Sequence, residues 1–180
     1  GSIENYKIYR SIKFIPGEVE NVIFAVPAGA IMDAMDDCIA KGVKAAQVYT
    51  AGFSETGLEE GRQMEKALVA KARLGGVRIV GPNCMGVYSP AENLPYGMTS
   101  YVGKLGSIAF LSQSGGLGGM VIDLGIPKGL EFSKVVSFGN GSDLDSVDYL
   151  EYFSADPATT IIGTYLEGIR QGPRFMKIAK

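Results

Sequence analysis

The stretch SIAFLSQSGGLGG, residues 107–119, decides the predicted fold. Residues 107–111 are short and mostly apolar, as in a buried strand, and residues 117–124 predict a helix. The glycines between them allow a sharp turn and close approach of a ligand to the backbone. A helix that begins there directs unpaired N–H groups and a positive dipole end outward, which favours a bound phosphate. A plain glycine-rich turn has equal weight on composition alone.

The same strand-and-helix alternation extends in both directions from this stretch. It predicts an α/β fold with parallel sheets and right-handed crossovers. The first strand, residues 21–27, is expected to be fully buried, and Gly42 is expected to end the first helix. The other predicted strands are 45–50, 77–80, 134–138 and 160–166, and the helices are 31–40, 59–74, 144–153 and 173–180.

Residues 88–104 are rich in Pro, Gly, Asn and Ser, which predicts an irregular connection between two units. The units, residues 1–98 and 99–180, are expected to be three-layer parallel-sheet structures. Both are expected to be incomplete, because an irregular stretch precedes the first strand and the chain stops inside a predicted helix. We therefore interpret the sequence as a segment of a longer chain.

Composition excludes several classes of protein. The 180 residues are 46% hydrophobic and 20% charged, with a net charge of −2 and no basic cluster that would follow a nucleic acid. The absence of a signal peptide and of a long apolar segment predicts a cytoplasmic protein with no membrane partner. Cys38 and Cys84 do not have metal-ligand spacing, so no metal is expected. The chain contains no histidine, which excludes the usual Ser-His-Asp triad.

Four loops are predicted at the carboxyl ends of strands, where open α/β sheets bind ligands. The glycine-rich loop lacks the third glycine of G-x-G-x-x-G, the Gly-Lys-Ser/Thr of a P-loop, and the G-x-S-x-G pattern. The loops comprise residues 25–28, 49–53, 81–84 and 112–119.

Several acidic and thiol side chains have two interpretations. Glu167 ends an apolar strand, so it either faces the ligand crevice or is a solvated strand terminus. Asp143, Asp145 and Asp148 fit N-cap or first-turn positions better than a metal site. A nucleophilic role for Cys84 is disfavoured, because no histidine or nearby lysine would lower its pKa.

Five motifs occur in an order and spacing that resemble the nucleoside diphosphate-forming acyl-CoA synthetases. This family includes the succinyl-CoA synthetase α subunit and ADP-forming acetate–CoA ligase. The resemblance begins near residue 21 and implies a Rossmann-like CoA-binding domain followed by a flavodoxin-like ligase domain. The motifs are GPNCMGV at 81–87, SQSGGLG at 112–118, SFGNGSD at 137–143, YLEY at 149–152 with Asp156-Pro157, and YLEG at 165–168.

The resemblance also implies a reaction and roles for individual residues. Family members interconvert acyl-CoA, nucleoside diphosphate and phosphate with free acid, CoA and nucleoside triphosphate, through an acyl phosphate and a phosphohistidine. Ser114, Gly115 and Gly116 would bind the phosphate of the phosphohistidine, and Glu167 would be the catalytic residue that orients the histidine. The implied CoA-binding residues are Val26, Pro27, Ala28, Tyr49, Thr50, Ala51, Asn83 and Cys84, the last two near the thioester.

The implied cofactors are CoA, with ATP or ADP and Mg²⁺ in the parent enzyme. The implied partners are a small acyl substrate and an ATP-grasp domain or subunit, in an oligomer. The family's CoA-phosphate turn would precede this segment and its histidine would follow Lys180, so the chain alone is not expected to complete the reaction. Gly119 stands where the succinyl branch has a tyrosine, which favours the single-chain ligase branch.

Two alternatives remain from the sequence. A non-catalytic CoA- or nucleotide-binding regulatory module would explain the missing histidine. An NAD-binding Rossmann protein is disfavoured by the absent third glycine and by the lack of an acidic residue on a suitable second strand. The acyl group and the choice of ATP or GTP stay open.

Overall fold

The computed structural model describes residues 1–97 and 102–180, and it has the predicted α/β architecture. A small antiparallel hairpin of β1 (Ser2–Ile3) and β2 (Tyr6–Lys7) precedes the first parallel sheet. The predicted irregular N-terminal stretch is therefore partly ordered. The first sheet has the order β3-β4-β5, with β3 at Asn21–Phe24, β4 at Ala45–Val48 and β5 at Arg78–Val80.

Two helices connect these strands, and they contact each other. Helix α1 (Ile31–Lys41) ends at Gly42, whose φ of 83° is the left-handed cap predicted from the sequence. Helix α2 (Glu59–Leu74) has the predicted bounds, and its buried face is Gly61, Glu65, Leu68 and Ala72. A Cβ at Gly61 would overlap the carbonyl of Phe53, so this glycine allows the close approach of α2 to that backbone.

The prediction that the first strand is fully buried is wrong. Asn21 and Ile23 are exposed, and Val22 is half-buried. Among the described residues, strand β3 lies at the edge of its sheet and has only β4 as a neighbour, so one side of the strand and part of one face are exposed.

The second sheet has four strands in the order β6-β8-β7-β9. They are β6 (Gly86–Tyr88), β7 (Leu105–Ser112), β8 (Phe132–Ser137) and β9 (Ile161–Tyr165). The last three are parallel, but β6 pairs antiparallel with β8 and was not predicted from the sequence. A strand of three residues is too short to give a periodic pattern in the sequence. Its position is defined by pairing with β8 and by a hydrogen bond from the Val87 N–H to Gln47 Oε1 of β4, at 3.0 Å.

Helices cover both faces of this second sheet, as the three-layer prediction requires. Helix α3 (Gly115–Gly125) contacts β7 and β8, and helices α4 (Ser146–Ala155) and α5 (Gly172–Ile178) contact each other. Alternate residues of β7 face the two cores, because side chains alternate along a strand. Ala109 and Leu111 pack in the cluster that includes α4, whereas Ile108 and Phe110 pack against the cluster that includes α3.

Asp143 joins the two units, which corrects its prediction as a helix cap. Its carboxylate, 1% exposed, accepts hydrogen bonds from Arg73 Nε (2.6 Å), Arg78 Nε (2.9 Å) and the Ile79 N–H (2.8 Å). Burial acts to raise the pKa of Asp143, but the hydrogen bonds from Arg78, Ile79 and Arg73 outweigh it and lower that pKa.

The other two aspartates have the predicted capping role. The Asp145 side chain accepts from the Val147 N–H at 2.9 Å, and Asp148 accepts from the Asp145 N–H at 2.9 Å. Together they form a capping box at the start of α4.

The predicted boundary between residues 98 and 99 lies outside the described residues. Within residues 1–97 and 102–180, no helix is long and apolar enough to cross a membrane.

Candidate functional site

The carboxyl ends of strands from both sheets meet around one cleft of about 460 Å³. Open α/β sheets bind ligands at such an edge. The cleft contains seven of the predicted site residues, which come from several different loops. Its lining is Tyr49 after β4, Asn83, Cys84 and Met85 after β5, Gln113, Ser114, Gly115 and Gly116 after β7, Gly139 and Asn140 after β8, and Glu167 after β9, with Glu55.

The glycine-rich run forms the first turn of α3, which begins two residues earlier than predicted. Ser114 is the N-cap, and its Oγ accepts the Leu117 N–H at 3.3 Å. The Ser112 hydroxyl donates to the Ser114 carbonyl at 2.6 Å, and this hydrogen bond stabilises the turn that precedes α3. Amides in the first turn of a helix have no carbonyl partner within it, so those of Gly115 and Gly116 are available for a ligand.

The glycines of this turn differ in how much space surrounds them. A Cβ at Gly115 would lie 2.5 Å from Met85 Cγ, and a Cβ at Gly118 would overlap the Tyr96 hydroxyl. A Cβ at Gly116 would meet no atom within 4 Å. Gly115 and Gly118 therefore permit close packing under the helix, whereas Gly116 leaves space free at the cleft.

Tyr96 supports the start of α3 and was not predicted from the sequence. Its hydroxyl donates to the Gly115 carbonyl at 2.8 Å, and the residue is only 3% exposed. Burial raises the pKa of Tyr96 to about 12. The hydroxyl therefore remains a proton donor. Its only sequence signal was an aromatic residue within a Pro- and Gly-rich stretch.

Glu167 is exposed at the cleft and is positioned through its backbone. Its N–H donates to Gln113 Oε1 at 2.9 Å, and the Gln113 N–H donates to the Tyr165 carbonyl at 2.9 Å. Within the described parts of the chain, the Glu167 carboxylate has no hydrogen-bond or ion-pair partner. It is therefore free to accept a hydrogen bond from a group that enters the cleft. The sequence did not single out Gln113 in this role.

Cys84 is a buried, protonated thiol. Its single S–H lies within hydrogen-bond distance of two carbonyls, those of Val48 (3.3 Å) and Val80 (3.4 Å). Burial raises its pKa to about 12, so it carries almost no thiolate at neutral pH. The thiol can form a neutral wall of the cleft but is a poor nucleophile.

The structure does not bring the other predicted CoA residues into the cleft. Val26, Pro27, Ala28, Thr50 and Ala51 are outside its lining. The Thr50 hydroxyl donates to the Val26 carbonyl at 2.7 Å, which ties the loop after β3 to the loop after β4. Pro27 and Ala51 lie on these two loops, and Ala51 is exposed, so the loops present backbone and small side chains at the carboxyl edge of the first sheet.

The described lining of the cleft contains carboxylates but no lysine or arginine. An anion would therefore depend on backbone amides and the helix dipole. Among the residues that the structure describes, no group of three or more His, Cys, Asp or Glu side chains is arranged to hold a metal ion.

These features define a class: a two-unit α/β protein in which a glycine-rich helix N-terminus opens onto a cleft where the units meet. Residues 1–90 match the family described as a CoA binding domain, and residues 105–180 match the succinyl-CoA ligase like flavodoxin domain. The chain belongs to the nucleoside diphosphate-forming acyl-CoA synthetase family, as the motifs predicted. The first match begins at residue 1, so the likeness extends beyond the predicted start near residue 21.

Curated relatives and solved structures agree with this assignment. The chain is 43% identical over 178 residues to the α subunit of ADP-forming acetate–CoA ligase II of Pyrococcus furiosus, covering 99% of this chain and 38% of the relative. It is 40% identical to ADP-forming acetate–CoA ligase I of Archaeoglobus fulgidus, with 99% of this chain and 26% of the relative covered.

The structural likeness is also close. A dinucleotide-forming acetyl-coenzyme A synthetase 1 of Candidatus Korarchaeum cryptofilum, solved with phosphate and ADP, superimposes with a TM-score of 0.89 at 36% identity. That match covers 99% of this chain and 38% of the solved one. The chain therefore spans about two-fifths or less of these relatives.

Proposed function

We propose that this chain is the part of an ADP-forming acyl-CoA synthetase that binds CoA and the phosphate of the reaction intermediates. The observation that carries the proposal is the cleft itself. It brings the Ser114–Gly116 turn, the unpaired carboxylate of Glu167 and the loop with Asn83 and Cys84 into one space. Relatives that are ADP-forming CoA ligases support the same assignment.

The proposed reaction in the direction of thioester formation has two parts at this cleft. The phosphoryl group of a phosphohistidine supplied from outside these 180 residues would be transferred to a carboxylate oxygen of the acid. The P–N bond breaks, a P–O bond forms, and an acyl phosphate results. The CoA thiol would then attack the acyl carbon, so that a C–S bond forms and the bond from that carbon to the phosphate oxygen breaks. Inorganic phosphate leaves and takes up the thiol proton. The amides of Gly115 and Gly116 stabilise the negative phosphate oxygens through hydrogen bonds and the α3 dipole.

Glu167 is proposed to orient a histidine supplied from outside these 180 residues. Its carboxylate would accept the N–H of one imidazole nitrogen, which leaves the other nitrogen to receive the phosphoryl group. Cys84, a neutral thiol, would face the reacting end of CoA without competing as a nucleophile. The loops containing residues 26–28 and 49–51 would bind the rest of CoA. The nucleotide and Mg²⁺ are assigned to an ATP-grasp partner.

Residue-specific NMR of the ¹⁵N-labelled chain tests this proposal. Titration with inorganic phosphate should shift the amide signals of Gly115 and Gly116. Titration with CoA should shift those of residues 26–28 and 49–51, and NAD should shift neither set. Shifts with NAD but not with CoA would overturn the proposal.

The chain contains no histidine, so we also consider the alternative that it is a non-catalytic regulatory module that binds CoA. A regulatory CoA module requires CoA binding but no phosphate site. CoA shifts without any phosphate response at Gly115 and Gly116 would therefore favour the regulatory module over the ligase segment.

A further inference from the structure

Asn140 lies where elements of the two sheets meet at the cleft, and none of the predicted roles includes it. It lines the cleft on the loop after β8. Its N–H donates to the Pro82 carbonyl at 2.9 Å, and its carbonyl accepts from Arg170 Nη2 at 2.7 Å. A Cβ on the preceding Gly139 would overlap the carbonyls of Pro82 and Asn83, so the two loops are in direct contact.

The Asn140 side chain bridges two carboxylates of the first unit. Its Nδ2 donates to Glu55 Oε2 at 2.6 Å and to Glu65 Oε2 at 2.7 Å, with Ser54 Oγ at 3.2 Å. A primary amide has two N–H groups, one for each carboxylate. Without a donor between them, two negative groups would face each other in a partly buried site.

Both carboxylates also hold backbone of the first unit. Glu55 accepts the N–H groups of Gly52 (2.6 Å) and Phe53 (3.1 Å), and Glu65 accepts the Ser54 N–H at 3.2 Å. Burial acts to raise the pKa of each carboxyl, but hydrogen bonds, including that from Asn140, lower both pKa values. Both groups therefore stay ionised at neutral pH and need the amide donor.

We propose that Asn140 is a positioning residue: its amide bridges Glu55 and Glu65 and thereby holds the loop after β8 against the first unit, which fixes the cleft for CoA. The CoA part of this inference rests on the proposed function. The bridge between the two units does not.

The charges around this bridge determine the expected response to pH. From the first unit, Glu55 and Glu65 face the amide. From the second unit, Arg170 holds the loop backbone, Glu167 lines the same cleft, and Asp143 is neutralised by its arginines. Replacement of Asn140 by Asp would put a third carboxylate within hydrogen-bond distance of two others, with no lysine or arginine in the described cleft lining.

The test compares Asn140→Asp with wild type in CoA affinity and thermal unfolding across pH. At pH 7.5 we expect CoA affinity at least about tenfold lower and a Tm lower by about 4–8 °C, as for loss of a charged hydrogen bond. The introduced carboxyl has a raised pKa in the folded chain, so its cost is present above that pKa and falls as the pH is lowered. At pH 5 the ratio of variant to wild-type affinity should be closer to one than at pH 7.5, but it should stay below one because a protonated carboxyl donates one hydrogen bond where the amide donates two.

Two further variants separate positioning from general damage. The control variant Asn21→Asp makes the same change at the first residue of β3, which is exposed and lies at the amino end of the strand, away from the cleft. This variant should leave CoA affinity and Tm unchanged. Adding Glu65→Gln to Asn140→Asp restores a donor between the carboxylates, so it should recover most of the loss at pH 7.5.

An Asn140→Asp deficit that is equal at pH 5 and 7.5, or one that Glu65→Gln leaves unrelieved, would overturn the inference. If the wild-type chain does not bind CoA, the proposed function fails. In that case the Tm values of the same variants still decide whether Asn140 bridges the two units.

Discussion

Removal of the Asp143 carboxylate should destabilise the chain by an amount that follows from its partners. Asp143→Ala leaves the buried N–H of Ile79 without an acceptor, which costs about 1–3 kcal/mol. The side chains of Arg73 and Arg78 are 57% and 54% exposed, so both guanidinium groups return to water. The lost ion pairs then add only about 1 kcal/mol. The expected total is about 2–4 kcal/mol, or a Tm lower by about 5–12 °C.

Asp143→Asn separates the hydrogen bond from the charge. The amide oxygen can still accept the Ile79 N–H, so this variant should lose about 1–2 kcal/mol, less than the alanine variant. The pKa of Asp143 in the folded chain is lower than the ordinary pKa of an aspartate, which is about 3.9. The charge therefore stabilises the fold above about pH 4, and this contribution is lost as the pH falls towards the folded-state pKa.

Urea unfolding followed by far-UV circular dichroism measures these differences. At pH 7 the midpoints should decrease in the order wild type, Asp143→Asn, Asp143→Ala. The gap between wild type and Asp143→Asn should narrow below pH 4. An alanine variant with the wild-type midpoint, or an asparagine variant less stable than the alanine variant, would refute the reasoning.

Three other predictions concern the cleft. Gly115→Val should reduce phosphate affinity by about tenfold or more, because the added side chain would overlap Met85. Gly116→Ala, where a Cβ meets no atom within 4 Å, should change that affinity by less than about threefold. Equal losses for the two variants, measured by calorimetry, would contradict this reasoning. Cys84, with its pKa of about 12, should react with iodoacetamide at pH 8 about a thousandfold more slowly than an exposed cysteine, and rapid labelling of the folded chain would show that the thiol is accessible. In an assembly that supplies the histidine, Glu167→Gln should slow phosphorylation much more than it weakens CoA binding, and equal loss of both would argue against an orienting role.

The sequence determined the local elements of this protein and the loops that follow its strands. Helix periodicity and a left-handed glycine defined the bounds of α2 and ended α1 at Gly42, because both signals act within a few residues. The glycine-rich turn after β7 was identified for the same reason. The ordered motifs also identified the family, because each motif is a contiguous run of residues with a fixed place along the chain.

Only the tertiary structure decided how the two units meet. Strand β6 is too short to be read locally, and it is defined by its pairing with β8 and by Gln47. Asp143 contacts Arg73 across 70 positions of sequence, and Asn140 contacts Glu55 across 85. Such contacts depend on which residues the fold brings close together, and the raised pKa of Cys84 depends on its burial. Neither property is encoded in the periodicity of a single segment.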